Sequence, residues 1–175
     1  EALEIFAKIP TIITHYYHYA NGNRIIPPHQ QLDHAANYLY MLHGEESDEA
    51  HVRALETYMI ISLEHGMNAS TFTARVVTGT EENIVGALSA AVAALEGPLH
   101  GGAPSKVDDM LEAIGSIDNT EPWLRNAIES GQRLMGFGHR VYKTYDPRAA
   151  VLKEVTEQLA SENNPLFQLA LHVEK

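Results

Sequence analysis

A histidine at position 139 follows the two glycines of Gly136-Phe137-Gly138, and Arg148 comes nine residues later in Asp146-Pro147-Arg148. Histidine is the side chain whose ordinary pKa lies nearest neutrality, so it can move a proton or polarise an oxygen at physiological pH. Glycine admits backbone angles closed to other residues and lets a ligand approach the main chain. From Arg133 to Arg148 the chain carries four basic residues and one acid, inside a chain of net charge −11. A cationic loop on an acidic protein points to a local anionic ligand, not to a general attraction for polyanions. Arg148 falls in the first turn of an expected helix, where the helix dipole favours acids over cations. A guanidinium beside the exposed amides of that turn makes a carboxylate site. The alternative is an exposed arginine paired with Asp146.

Two more histidines sit where a helix meets a glycine-containing loop. His65 lies in Glu64-His65-Gly66-Met67-Asn68-Ala69-Ser70-Thr71-Phe72, and His100 in Gly97-Pro98-Leu99-His100-Gly101-Gly102-Ala103-Pro104. The three histidines are 35 and 39 residues apart, so local packing does not explain them. Loops on rigid helical scaffolds are common carriers of functional groups. His100 just precedes an expected helix start, and the positive end of a helix disfavours an imidazolium there. A neutral imidazole N–H can donate to a carbonyl oxygen that gains charge as an enol forms beside a thioester. The competing role is a histidine that only caps the Gly-Gly turn.

Helices must position these groups. Leu3, Ile5, Phe6, Ile9, Ile12 and Ile13 recur at helical spacing, and this first helix should end at Asn21-Gly22-Asn23. A second is predicted from about 32 to 42, closing at His43-Gly44. Ser47-Asp48-Glu49 should open a third that ends near Gly66, and a fourth runs from about Ala69 to Val77. Glu82 to Leu95 is rich in Ala and apolar nearly all round, which suits a core or a subunit interface. Pro104, Pro122 and Pro147 suit first helical positions, with Asp146 as a cap. Asn163-Asn164-Pro165 should end that helix, with a last one over 166–173. With no strand pairing, repeat or low-complexity linker, the predicted class is all-α, with a lobe boundary near Leu99 to Ala103.

Composition narrows the function classes. Acids outnumber bases by 23 to 12, which argues against nucleic-acid binding by global charge. No apolar run is long enough for a transmembrane helix, and no signal peptide is evident. The absence of cysteine excludes a disulfide framework and a thiolate nucleophile, and it fits a cytoplasmic protein. Both ends read as cuts through a larger protein. Of the ten histidines, His15, His18, His29, His34, His43, His51 and His172 lack a partner motif and are expected to be structural or solvent-facing. His15 and His18 could share a helix face, but a metal site needs more ligands, so no metal is expected.

The three histidine motifs, in this order and spacing, resemble those of the citrate synthase family, with the bacterial citrate and 2-methylcitrate synthases most similar. The resemblance spans essentially the whole chain, although the first forty residues match only in helical character. It implies an all-helical two-domain enzyme. Residues 1–100 would be part of the large, dimer-forming domain, and 101–175 part of the small mobile domain. It implies condensation of acetyl-CoA with oxaloacetate and water, giving citrate and CoA. His65, Asn68 and Ser70 would bind or arrange the oxaloacetate site. His100 would stabilise the enol, His139 would polarise the keto carbonyl, and Arg148 would grip a carboxylate. Gly136, Phe137 and Gly138 would contact CoA, with Lys143 reaching its phosphates.

The resemblance further implies no permanently bound cofactor, a homodimer, and neither nucleic acid nor membrane as partner. Two departures stand out. Many relatives have Asn where this chain has Pro104, and the family's aspartate base would lie beyond residue 175. Asp108, Asp109 and Asp146 do not match that base motif, so the chain alone is expected to be inactive. One alternative is a 2-methylcitrate synthase using propionyl-CoA, a difference of one methylene worth about 1–3 kcal/mol. A citrate-cleaving relative would need additional domains. A non-catalytic helical interaction module, burying the 82–95 helix against a partner, is the remaining alternative.

Overall fold

The computed structural model describes residues 1–102, 105–138, 142–159 and 164–175. All regular elements among the described residues are helical: α1 (Ala2–Ala20), α2 (His34–His43), α3 (Glu49–Ser62), α4 (Ala69–Thr78), α5 (Ile84–Glu96), α6 (Ser105–Ile114), α7 (Thr120–Glu129), α8 (Pro147–Leu159) and α9 (Pro165–Glu174). The all-α expectation holds. Contacts divide the chain into two compact units, Glu1–Glu64 with Ala150–Leu159, and His65–Ala149 with Ala160–Lys175.

Most helix starts follow from one device. Asp33, Asp48, Asn68, Asn83 and Asn164 each stand at an N-cap, and each side-chain oxygen accepts a backbone N–H from the first turn. Those N–H groups have no partner within the helix, which is why short acceptors are selected there. At Asp48 the hydrogen bond from the His51 backbone, followed by that from its ring, holds the carboxyl below its ordinary pKa. Gly44 ends α2 with φ of 86°, in the left-handed region, and its N–H donates to the Tyr40 carbonyl.

Three helix starts differ from expectation by two residues, α2 beginning at His34, α5 at Ile84 and α7 at Thr120, and α3 ends at Ser62, short of the expected Gly66. Pro122 is the third residue of α7, not its first, because a single 3-10 turn over Ile117–Asn119 leads directly into Thr120. Asn119 Nδ2 donates to the Ile114 carbonyl at 2.8 Å, fastening this turn to the end of α6. Proline is tolerated anywhere in a first turn, so its presence marks a helix start without fixing the residue. The start expected at Pro104 and the stop at Asn163 lie outside the described residues.

In the first unit, α1 packs on α2 and α2 on α3. His18 is 5% exposed, and its Nε2 lies 2.8 Å from the Met41 carbonyl. A carbonyl only accepts, so Nε2 carries the proton and donates. Met41 O belongs to the last turn of α2, where carbonyls lack helical donors. The histidine of one helix thus caps the end of another, a structural role as expected for it. Its Nδ1 is buried with no partner among the described residues. His18→Ala should cost about 1–3 kcal/mol of stability, and His18→Gln, which retains a donor, distinctly less. Urea unfolding midpoints of the three proteins would test this; equal midpoints would rule out a capping role.

The second unit holds a core of Met110, Leu111 and Ile114 from α6 with Leu169 and Val173 from α9. Burying each such side chain contributes about 1.5–3 kcal/mol. Trp123 and Met135 pack against this cluster. Met135 immediately precedes Gly136, so the glycine loop starts from an anchored point. In the same unit α4 and α5 pack along one another. That packing covers one face of α5: Ala87 is buried, while Val85 and Val92 remain 64% and 63% exposed. The core or interface position expected for α5 is therefore filled only in part within this chain. No described helix is long and apolar enough to cross a membrane.

Candidate functional site

Ser70, in the first turn of α4, links three segments. Its Oγ lies 2.9 Å from the Ala91 carbonyl on α5 and 2.8 Å from His100 Nε2. The hydroxyl has one proton for two neighbours. If it donates to Ala91 O, Nε2 must carry the imidazole proton and donate to Ser70. If it donates to Nε2, the imidazole proton resides on Nδ1. The hydroxyl therefore decides whether Nδ1 of His100 carries a proton that it can donate to a ligand, and it holds the Nε2 side of the ring in either case.

The turn that carries His100 is held closely. The His100 and Gly102 amides both donate to the Gly97 carbonyl, at 2.9 and 3.3 Å. A Cβ at Gly101 would stand 2.5 Å from the Leu95 carbonyl oxygen and 2.5 Å from Leu95 Cδ1. Only glycine fits there, which explains the first glycine of the Gly-Gly pair by contact with the end of α5.

Asn68 places its side chain otherwise than a ligand-binding role alone would require. Its Oδ1 accepts the Thr71 amide at 2.9 Å, so it caps α4 and sets where Ser70 stands. His65 lies on the loop ahead of it, next to Gly66 with φ of 60°. The His65 ring centroid is 6.0 Å from that of Tyr142, with the planes tilted by 47°. The Arg148 guanidinium carbon lies 5.8 Å from the centroid of the same Tyr142 ring.

Arg148 is paired with Asp146. Its Nε donates to Oδ1 at 3.0 Å and its Nη2 to Oδ2 at 2.7 Å, while its backbone N–H donates to Oδ1 at 3.0 Å. Asp146 thus acts on the first amides of α8 and on the guanidinium together. The ion pair expected as the alternative for Arg148 is present, but the two side chains are 29% and 27% exposed, not surface groups.

Gly136 and Gly138 adopt φ of 83° and 80°, the left-handed conformation for which glycine is suited, with Phe137 half-exposed between them. Lys143 is exposed. A cleft of about 400 Å3 in this unit is lined by Leu99, Lys106, Met110, Trp123, Arg133 and Met135 among others. It joins the residues flanking His100 to those leading into the glycine loop. His139 lies outside the described residues. Two groupings result: Ser70 with His100, and His65 with Tyr142, Asp146 and Arg148. Tyr142 and Ala91 are the participants that sequence spacing did not single out. Among the described residues no group of three His, Asp or Glu side chains could hold a metal ion.

Comparison with known proteins adds a common ancestry. The family described as "Citrate synthase, C-terminal domain" matches residues 1–175. The chain is 43% identical to the citrate synthase of Acidithiobacillus ferridurans, over 99% of this chain and 46% of that protein. It is 41% identical to that of Synechocystis sp., over 99% of this chain and 44% of the relative. It therefore spans just under half the length of these relatives. The crystal structure of Thermotoga maritima citrate synthase superposes with a TM-score of 0.85 at 42% identity, covering 94% of this chain and 45% of that one. A ternary complex of Thermoplasma acidophilum citrate synthase with carboxymethyl coenzyme A and oxaloacetate gives 0.88 at 32% identity, over 94% and 44% of the two chains.

Proposed function

This chain belongs to the citrate synthase family, and from that premise we propose that its protein condenses acetyl-CoA with oxaloacetate and water to citrate and CoA. The observation that carries the reading is the Ser70–His100 hydrogen bond, which engages Nε2 and leaves Nδ1 as the nitrogen that can face a ligand. When the Ser70 hydroxyl donates to Nε2, the neutral imidazole carries its proton on Nδ1, and Nδ1–H donates to the thioester oxygen and stabilises the enol as the α-proton leaves. His65 and Arg148 hold the carboxylates of the oxo acid, and His139 polarises its keto carbonyl. The enol carbon attacks that carbonyl carbon, and water then cleaves the thioester, releasing CoA. Asn68 sets the start of α4, on which Ser70 stands. Binding both partners in near-attack geometry supplies much of the rate.

CoA enters as a co-substrate, and no permanently bound cofactor is invoked. Gly136, Phe137 and Gly138 contact it, with Lys143 at its phosphates. The cleft beside Leu99 and Met135, with Lys106 and Arg133 on its lining, supports a ligand that is part apolar and part anionic. Residues 1–100 belong to a large domain and 101–175 to a small one. The α6–α9 core, which lies wholly beyond residue 100, supports the second. The contact units divide the chain elsewhere, after Glu64 and on either side of Ala150–Leu159, which groups with the first unit, so this boundary rests on family order. The exposed faces of α1 and α5 support a homodimer, and soluble substrates support a cytoplasmic site of action.

The general base lies outside this chain, so the 175 residues alone do not turn over. Thiol release from acetyl-CoA and propionyl-CoA with oxaloacetate, compared between this chain and the full-length protein, tests the proposal. Turnover is expected only in the full-length protein, with the faster acyl donor naming the subgroup. Silence of the full-length protein with both donors would refute the condensation, and turnover by the isolated chain would refute the placement of the base.

A further inference from the structure

We propose that Tyr142 is the positioning residue that holds His65 and Arg148 in register as one anion-binding pair. The inference rests on the functional reading above and adds a residue to it. His65 comes from the loop before α4 and Arg148 from the start of α8, 83 positions later in sequence (148 − 65). The Tyr142 ring is a rigid body that both touch. The guanidinium carbon stands 5.8 Å from the ring centroid and the imidazole centroid 6.0 Å from it. A cation within about 6 Å of an aromatic centroid is attracted by the ring quadrupole. The imidazole, tilted by 47° to the ring, meets it in an inclined aromatic contact.

Asp146 holds Arg148 through its backbone N–H, Nε and Nη2. The Tyr142 ring adds a second restraint on the guanidinium, because cation and ring face attract one another. The same ring limits how His65 can turn. Tyr142 has a phenolic hydroxyl as well, but the contacts at issue are with its ring. The π face, not the hydroxyl, should therefore carry the effect. Tyr142 does not need to touch the substrate for this role.

The test is kinetic and spectroscopic. In the full-length enzyme, Tyr142→Leu should raise the KM for oxaloacetate about threefold to thirtyfold, the range of a partly desolvated cation–π contact. kcat should stay within about twofold and the KM for the acyl-CoA should not change. Tyr142→Phe and Tyr142→Trp, which retain a π face, should remain near the parent in all three constants. An unchanged oxaloacetate KM in Tyr142→Leu would overturn the proposal, as would equal damage from Leu and Phe. The functional reading fails separately, through silence of the unsubstituted enzyme. In that event NMR of the 175-residue chain decides: Tyr142→Leu should move the side-chain resonances of both Arg148 and His65, and resonances that stay in place would overturn the positioning role.

Discussion

Replacing His100 by alanine in the full-length enzyme is expected to lower kcat about 100- to 1000-fold, the loss typical of removing a donor aimed at a developing oxyanion. The oxaloacetate KM should change little, since the lost interaction is formed mainly in the transition state. Ser70→Ala should produce a smaller fall, about tenfold, because the imidazole remains but its donor nitrogen is no longer imposed. The order matters as much as the size. If Ser70→Ala were as damaging as His100→Ala, the serine itself would touch substrate. A His100→Ala enzyme within about threefold of the parent would remove the enol-stabilising role. Steady-state thiol release with each substrate varied in turn measures all of this.

Arg148→Leu is expected to reduce kcat/KM for oxaloacetate about 30- to 4000-fold, matching about 2–5 kcal/mol for truncating one partner of a desolvated charge pair. Arg148→Lys should recover only part of this. A lysine ammonium is a point charge and cannot present the two parallel N–H groups of a guanidinium. Both variants also remove the bidentate partner of Asp146, so thermal midpoints need to be recorded alongside the kinetics. A lowered midpoint with an unchanged kcat/KM would make Arg148 a structural residue of the start of α8 and nothing more.

The helices were legible because their causes are local. Ser47-Asp48-Glu49 announces the start of α3 by side-chain chemistry within three residues; Asp33, Asn68, Asn83 and Asn164 cap helices in the same way without being singled out as starts, and Asn164 falls within an expected stop. Gly44 announces an end in the same way. Pro122 shows the limit of such signals, since a first turn accepts proline at several positions and only the packing of Asn119 chooses one. The site was legible as separate motifs and not as an arrangement. Ser70 and His100 are 30 residues apart, and nothing in either segment states that a helix carbonyl at Ala91 joins them. Asn68 read as a substrate group because it lies beside His65, while its side chain serves the helix that follows. Tyr142 gave no signal, because an aromatic residue in a basic loop has no periodicity to betray what it faces.

The pairing of Arg148 with Asp146 has a consequence for selectivity among anions. A lone guanidinium would draw any negative ion from a distance, and metabolites, nucleotides and inorganic phosphate would compete for it in a cell. Here the neighbouring carboxylate cancels most of that far field, so the long-range pull is weak. A carboxylate approaching such a paired arginine would be drawn only at contact range, by its fit to a guanidinium already held by Asp146 and Tyr142. The rotamer entropy of its side chain, about 2 kcal/mol, is lost when the protein folds and not when the ligand binds. A carboxylate bound at such an arginine would be selected by geometry more than by charge.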